Sequence, residues 1–322
     1  MSGEFFAVGL PQFRRACQLG MNPAIALLVM ARGTLGDNST TNWSGYSVYN
    51  RTGISRRRAK AAIECLAEHG LLEVLKKEPR PKYKLQKPDD CDELIWLPNT
   101  LVDGAGDETP PLTKLREFGH IKVLEKFILL YHEQDLEADG GIPRTIARVP
   151  FSRTRIDNIG PFTLYGFTRQ APTASSIGIF CEFSSEEDAD GNKGAWQALC
   201  PLLELGLIEE VYYMAESNDD ESELIYPVNS VTQDAIEDLW DWIHERELFG
   251  CINQQESFDY FGVAPTHIRN AWLVGCYRLH YRPHTTKTAR WWAQECKQSK
   301  DMATLIHLTC RPALSGMRAH QG

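Results

Sequence analysis

The chain has 322 residues, 43% hydrophobic and 24% charged, with a formal net charge of -9. That composition fits a folded globular protein. The acidic balance excludes a general polyanion binder, and no apolar run reaches the roughly 18 residues of a membrane span.

The first twenty residues, MSGEFFAVGLPQFRRACQLG, lack a basic start followed by an apolar core, so no signal peptide is expected. NPAIALLVMARGT at 22–34 predicts a helix, with Asn22 as N-cap and Pro23 as its first residue. GDNSTTNWS reads as a polar linker. Ser44 is placed to cap a short helix, GYSVYNRT, that ends at Gly53, and Ser55 to cap a longer one that stops at Gly70. In that longer helix Ala59, Ala62, Ile63, Leu66 and Ala67 share one face by their i, i+3, i+4, i+7 spacing, while Arg56, Arg57, Lys60 and Glu64 fall on the other. LLEVLKK and KYKLQ are strand-like, and proline keeps the EPRP between them out of either strand.

Arginines at a helix start do nothing for the helix, whose N-terminus favours anions. They make sense if phosphates or base edges come close, because arginine can bond guanine O6 and N7 together. Helix, helix, helix, strand, basic turn, strand over residues 22–87 resembles the winged helix-turn-helix family, carried by SVYNRTGISRRRAKAAIECLAEHGLLEV and the KKEPRPKYKL wing. The resemblance implies that the helix beginning GIS reads duplex DNA. It implies contacts from Ser55, Arg56, Arg57, Arg58 and Lys60, and from Lys76, Lys77, Arg80 and Lys82 of the wing. The family also contains protein-binding modules, so the fold alone does not decide function.

Charge is uneven along the chain. Residues 43–87 hold eleven Lys/Arg against four Glu, a local +7; residues 186–259 hold twenty Asp/Glu against two Lys/Arg, a local -18; residues 260–322 hold nine against two, again +7. Such asymmetry suggests different partners for different parts.

Further along, TKLREFGHIKVLEKFILLYHEQDL at 113–136 predicts one amphipathic helix. ALCPLLELGLIEEV at 198–211 lines up with AIECLAEHGLLEVL at 62–75, and a hairpin of VYYMAE and ELIYPV with the acidic tip SNDDES follows it. This pattern suggests a second, divergent winged helix with an insertion at about 140–185, built of short strands or a long loop. Phosphate would repel an acidic wing, so this copy is expected to face a protein. Arg144, Arg148, Arg153, Arg155 and Arg169 punctuate the insertion, among aromatics, in a pattern that suits either backbone contacts to nucleic acid or a solvated loop.

From 230 the chain reads as helix. Ile236, Leu239, Trp240 and Ile243 fall on one side of the first stretch. FDYFGV and PTHIRNAWLVGCYRL could mimic a helix-turn-helix whose basic face includes Arg269 and Arg278, and RWWAQECK interleaves aromatic and basic residues. CYRLHYRPH sets Cys276, His280 and His284 at i, i+4 and i+8, but Pro283 breaks the helix that would align them, and Cys296 or Cys310 would be loosely spaced further ligands for zinc. No GxxxxGK[ST], GxGxxG, HExxH or GxSxG motif occurs.

Nine cysteines without a CxxC pair, in apolar surroundings, point to free thiols in a reducing cytoplasm. The expectation is a mostly helical α+β protein: a winged-helix domain at 1–90, a divergent winged-helix-like domain at 91–229 and a helical domain at 230–322. It would bind double-stranded DNA with sequence preference, as a transcriptional regulator or replication-origin binder, without cofactor or catalysis. Plasmid replication initiators, which pair two unequal winged helices, supply the analogy. The rivals are a protein-interaction module or inhibitor using the acidic 186–259 segment and, further off, a metal-dependent nuclease. A cytoplasmic location away from membranes follows from the same reading, which leaves room for a homodimer.

Overall fold

The structure, a computed structural model, describes residues 5–77, 80–86, 93–134, 141–174, 194, 196–228, 237, 239, 241–244, 258–282 and 286–318. The chain divides into two compact units, each assembled from separated stretches: unit 1 from residues 1–134, 179–208 and 279–284, unit 2 from 135–178, 209–278 and 285–322.

Unit 1 holds, in order, β1 (Phe5–Gly9), α1 (Leu10–Gln18), α2 (Met21–Arg32), β2 (Thr40–Thr41), α3 (Gly45–Thr52), α4 (Arg56–Glu68), β3 (Leu72–Lys76), β4 (Lys82–Leu85), β5 (Leu94–Pro98), α5 (Thr100–Asp103), α6 (Pro111–Phe118), α7 (Ile121–Glu133) and α8 (Trp196–Glu204). Two helices form its centre. α2 is apolar all round, and every residue from Pro23 to Ala31 is buried, as such a helix requires. α1, α3, α4 and β1 pack around it. α7 is buried from Val123 to Tyr131 and packs against β5, α8 and α6. β1 and β5 pair antiparallel, with Phe6, Val8, Ile95 and Leu97 buried and Phe5 and Trp96 edge-to-face on the exposed side. β2, β4 and β3 form a three-stranded antiparallel sheet in that order.

Unit 2 holds β6 (Ala147–Arg148), β7 (Phe151–Ile159), β8 (Phe162–Arg169), β9 (Thr173–Ala174), β11 (Leu224–Pro227), β12 (Tyr260–Pro265), α9 (Thr286–Arg318), and nearly all of β10 (Ile208–Ala215) and β13 (Trp272–Leu279). Two three-stranded sheets, β12-β8-β7 and β11-β10-β13, meet through side chains. The Tyr226 hydroxyl of β11 donates to the Val263 carbonyl of β12 at 2.9 Å and accepts from its N–H at 3.1 Å. The rings of Phe151, Tyr212 and Tyr260 cluster between the sheets. One stripe of α9 is buried: Glu295, Ser299, Met302, Ala303 and Ile306.

Several expectations are corrected. The chain is not mostly helical, because three three-stranded and two two-stranded sheets stand among the described residues. FDYFGV and PTHIRNAWLVGCYRL, expected as helices, carry β12 and β13. They are rich in aromatic and β-branched residues, and β13 is buried at nearly every position, so it lacks the alternation that marks a half-buried strand. The second winged helix is overturned: α8 lies in unit 1 against α7, while the β10–β11 hairpin lies in unit 2, where β13 completes its sheet. The helix expected over 113–136 is two helices, divided where Gly119 turns to φ 82°. Leu239 and Ile243 are buried as read, with Trp242 beside them; Ile236 and Trp240 lie outside the described residues.

Candidate nucleic-acid interface

The α3–α4 corner is built from local chemistry. Ser44 and Ser47 form a reciprocal capping box at the start of α3. Gly53 ends the helix in the left-handed region, at φ 68°, and donates its N–H to the Tyr49 carbonyl at 2.9 Å. Ile54 is buried in the turn. α4 then starts at Arg56; of the five residues that the spacing puts on one face, Ala59, Ala62, Ile63 and Leu66 are buried and Ala67 is half-buried. Two cap readings fail: Ser55 stands at the N-cap of α4 but its side chain makes no cap hydrogen bond, and α2 starts at Met21 after Gly20, with Asn22 inside the helix.

The outer face of α4 carries Arg56, Arg57, Arg58 and Lys60, all exposed, with exposed Ser55 beside them. Lys60 meets Glu64 at 3.9 Å in solvent, a contact of little energetic weight. Arg56 stacks on two rings of α3, 4.9 Å from the centre of Tyr46 and 5.3 Å from that of Tyr49. Charge counting passes over this pair of tyrosines. The signal was present in GYSVYNRT, where positions 46 and 49 share a helix face.

β3 and β4, expected as the strands of a wing, pair with a register shift between Val74 and Lys76 in the β2-β4-β3 sheet, which exposes Lys76, Lys77, Arg80 and Lys82. Its third strand, β2, is anchored from the polar linker. The Asp37 carboxylate accepts from the Thr40 hydroxyl, from the Thr40 N–H at 2.8 Å and from the Ser39 N–H at 3.1 Å. These bonds, Thr40's first, hold its carboxyl well below the usual carboxylate range. The Thr41 hydroxyl reaches the Gly33 carbonyl at 2.7 Å. Gly33 is required here, because a side chain would begin 2.2 Å from the Trp43 ring. Arg51 lies 3.7 Å over the same ring, and Asp103 receives both Arg51 at 3.2 Å and Arg32 at 2.8 Å.

Many other arginines are committed. Arg169 pairs with Glu210 at 2.7 Å and Arg148 with Asp220 at 2.7 Å. Arg144 donates to the carbonyls of Asp219 and Ser222, and Arg153 to that of Ala271 while lying over the Tyr165 and Trp272 rings. Arg155 bonds Asn158. The insertion's arginines therefore fasten unit 2 and hold the acidic hairpin tip rather than lining a phosphate groove. Arg278, expected on a basic face, is buried and paired with Glu295 at 3.2 Å. By contrast, among the described residues no carboxylate stands within ion-pair distance of Arg56, Arg57, Arg58, Lys76, Lys77, Arg80 or Lys82.

Other polar groupings act as fasteners. Glu210 accepts from Arg169, Tyr212 and Tyr277. Burial first, then Glu210, raises both tyrosines well above the ordinary phenol range, so they stay protonated donors. Cys276 sits on β13 in the apolar cluster of Val211, Tyr213, Ala215 and Val274, which removes it from the zinc pattern. No group of three or more metal-ligating side chains stands together among the described residues. His284 and most of 186–195 and 229–257 lie outside the described residues, as do the side chains of Trp291, Trp292 and Cys310. No described helix is long and apolar enough to cross a membrane.

Compared with protein-family models, characterised proteins and solved structures, the chain matches none.

Proposed function

We propose that residues 21–85 form a winged helix-turn-helix that binds double-stranded DNA with sequence preference, in the service of regulation or origin recognition and without catalysis. The observation that carries this reading is the contrast in arginine use. Where Arg144, Arg148, Arg153, Arg155, Arg169 and Arg278 are tied to carboxylates, carbonyls, an amide or rings of their own unit, α4 and the β3–β4 hairpin gather a set of exposed cations with no carboxylate partner among the described residues. Exposed cations gathered in this way suit a polyanion, and the place of Arg56, Arg57 and Arg58 at the start of the second helix of a helix-turn-helix suits entry into the major groove. The rival reading is a protein-interaction module or inhibitor using the acidic 186–259 segment; in the one part of it that forms the hairpin tip, Arg148 already pairs with Asp220 and Arg144 bonds the Asp219 and Ser222 carbonyls.

Selection from random duplexes with the whole chain tests the reading. Arg57→Ala should weaken binding to a selected duplex by about 1–3 kcal/mol and relax preference at one base pair. Equal affinity of variant and wild type would remove Arg57 as a reader. The wing should behave differently. Lys77→Ala with Arg80→Ala should weaken all duplexes alike and lower the slope of log affinity against log salt by about 0.9 for each phosphate no longer neutralised. Neutralising Asp219, Asp220 and Glu221 should leave that slope unchanged. An unaltered slope in the wing variant would place those cations away from DNA.

A further inference from the structure

The stack of Arg56 on Tyr46 and Tyr49 divides the basic residues of α4 into two kinds. Both tyrosines are exposed, 56% and 40%, and their rings stand 6.4 Å apart at an interplanar angle of 40°. They contribute little to the core, so another reason is needed for two large rings on this corner. Their close neighbour is the Arg56 guanidinium, 4.9 and 5.3 Å from the ring centres. Among the described residues no ring lies under Arg57 or Arg58. The position of the stack is held from below: a side chain on Gly45, the residue before Tyr46, would begin 3.4 Å from the Lys60 backbone nitrogen, so the start of α3 rests on the backbone of α4.

A free arginine side chain loses rotamer entropy when it is fixed on a partner. Cation–π contact restricts the side chain in advance. Where a ring covers the face of a guanidinium, the in-plane N–H fork stays available for hydrogen bonds. That fork is the group that bonds guanine O6 and N7 together, a contact sensitive to orientation. A phosphate tolerates a wider range of approach and needs no such presetting.

Resting on the reading of α4 as a duplex reader, we propose that Tyr46 and Tyr49 are positioning residues that preset Arg56 to read one guanine in the major groove. Together they fix the base preference of the site at that base pair.

The test compares wild type, Tyr46→Leu with Tyr49→Leu, Tyr46→Phe with Tyr49→Phe, and Arg56→Ala, on a duplex selected by the whole wild-type chain and on its single-base-pair variants. At the base pair that Arg56→Ala relaxes, the leucine pair should lose roughly tenfold of the preference for guanine, the size of one good bidentate contact. Preference elsewhere, the salt slope and the thermal midpoint should stay as in wild type. The phenylalanine pair keeps the rings and should restore the preference. In the unbound protein, the Arg56 side-chain protons should show ring-current shifts that the leucine pair abolishes. The proposal is overturned if the leucine pair keeps the preference, weakens every duplex alike, or leaves the Arg56 shifts unchanged; in each case the DNA-binding reading stands. A wild type that binds no duplex removes the DNA-binding reading and this proposal together.

Discussion

Replacing Arg278 by methionine should destabilise unit 2 by about 3–5 kcal/mol, the cost of removing one partner from a buried ion pair. The side chains of Arg278 and Glu295 are 2% and 5% exposed, and their charges meet at 3.2 Å. The Tyr213 hydroxyl donates to the same Glu295 oxygen at 2.9 Å, and the Arg278 guanidinium lies 5.2 Å from the Tyr213 ring. Without the cation, that oxygen keeps the neutral tyrosine donor but loses the Arg278 charge in a buried site, which is why the effect is large. The pair joins β13 to α9, so protection of amide hydrogens in both elements should fall together. Replacing both partners, as in Arg278→Met with Glu295→Leu, should recover much of the stability, because two apolar groups of similar volume need no desolvation of charge. A surface arginine would show a change within roughly 0.5 kcal/mol, and that result for Arg278→Met would contradict the burial described.

Leu66→Ala should cost about 2–5 kcal/mol. Leu66 is fully buried, at 0% exposure, with Ala59, Ala62 and Ile63 on the face that α4 turns to the core. Its carbonyl also accepts the Leu71 N–H at 2.9 Å as the chain enters β3. The substitution leaves a cavity in the core under α4 and should lower the thermal midpoint of unit 1. Lys60→Ala, on the exposed face of the same helix, should leave that midpoint nearly unchanged. The difference between the two variants checks the helical phase, and equal midpoints would show the phase to be wrong.

The α3–α4–β3–β4 stretch was legible in the sequence because each of its determinants is local. Ser44 and Gly53 bracket α3, Ala59 to Leu66 repeat at helical spacing, and Pro79 and Pro81 interrupt the two strand-like runs. The basic residues of the candidate interface were legible for the same reason. What escaped depends on distant partners. FFAVG at 5–9 becomes β1 only because it pairs with residues 94–98, which lie beyond the whole 22–87 stretch. β12 and β13 are covered on both faces, so periodicity could not separate them from helix. Arg278 looks like any basic residue until Glu295, seventeen positions on and in another element, is brought to it. Tyr46 and Tyr49 were hidden for a different reason: a count of charges does not register the ring that holds a charge in place.

The division of the chain has a consequence for its synthesis. Unit 1 begins at the first residue but takes its last stretch of chain from 279–284, after nearly all of unit 2's sheet residues have been made. The interval from 134 to 284 corresponds to roughly 8–30 s at a ribosomal rate of about 5–20 residues per second. During the earlier part of that interval α7, whose nine residues Val123–Tyr131 end up buried, has no α8 to cover it. The side of α7 that α8 covers must therefore stay open while the ribosome is still working, although β5, α6 and α1 are already made, and chaperones that recognise apolar surface would meet the chain before it is released.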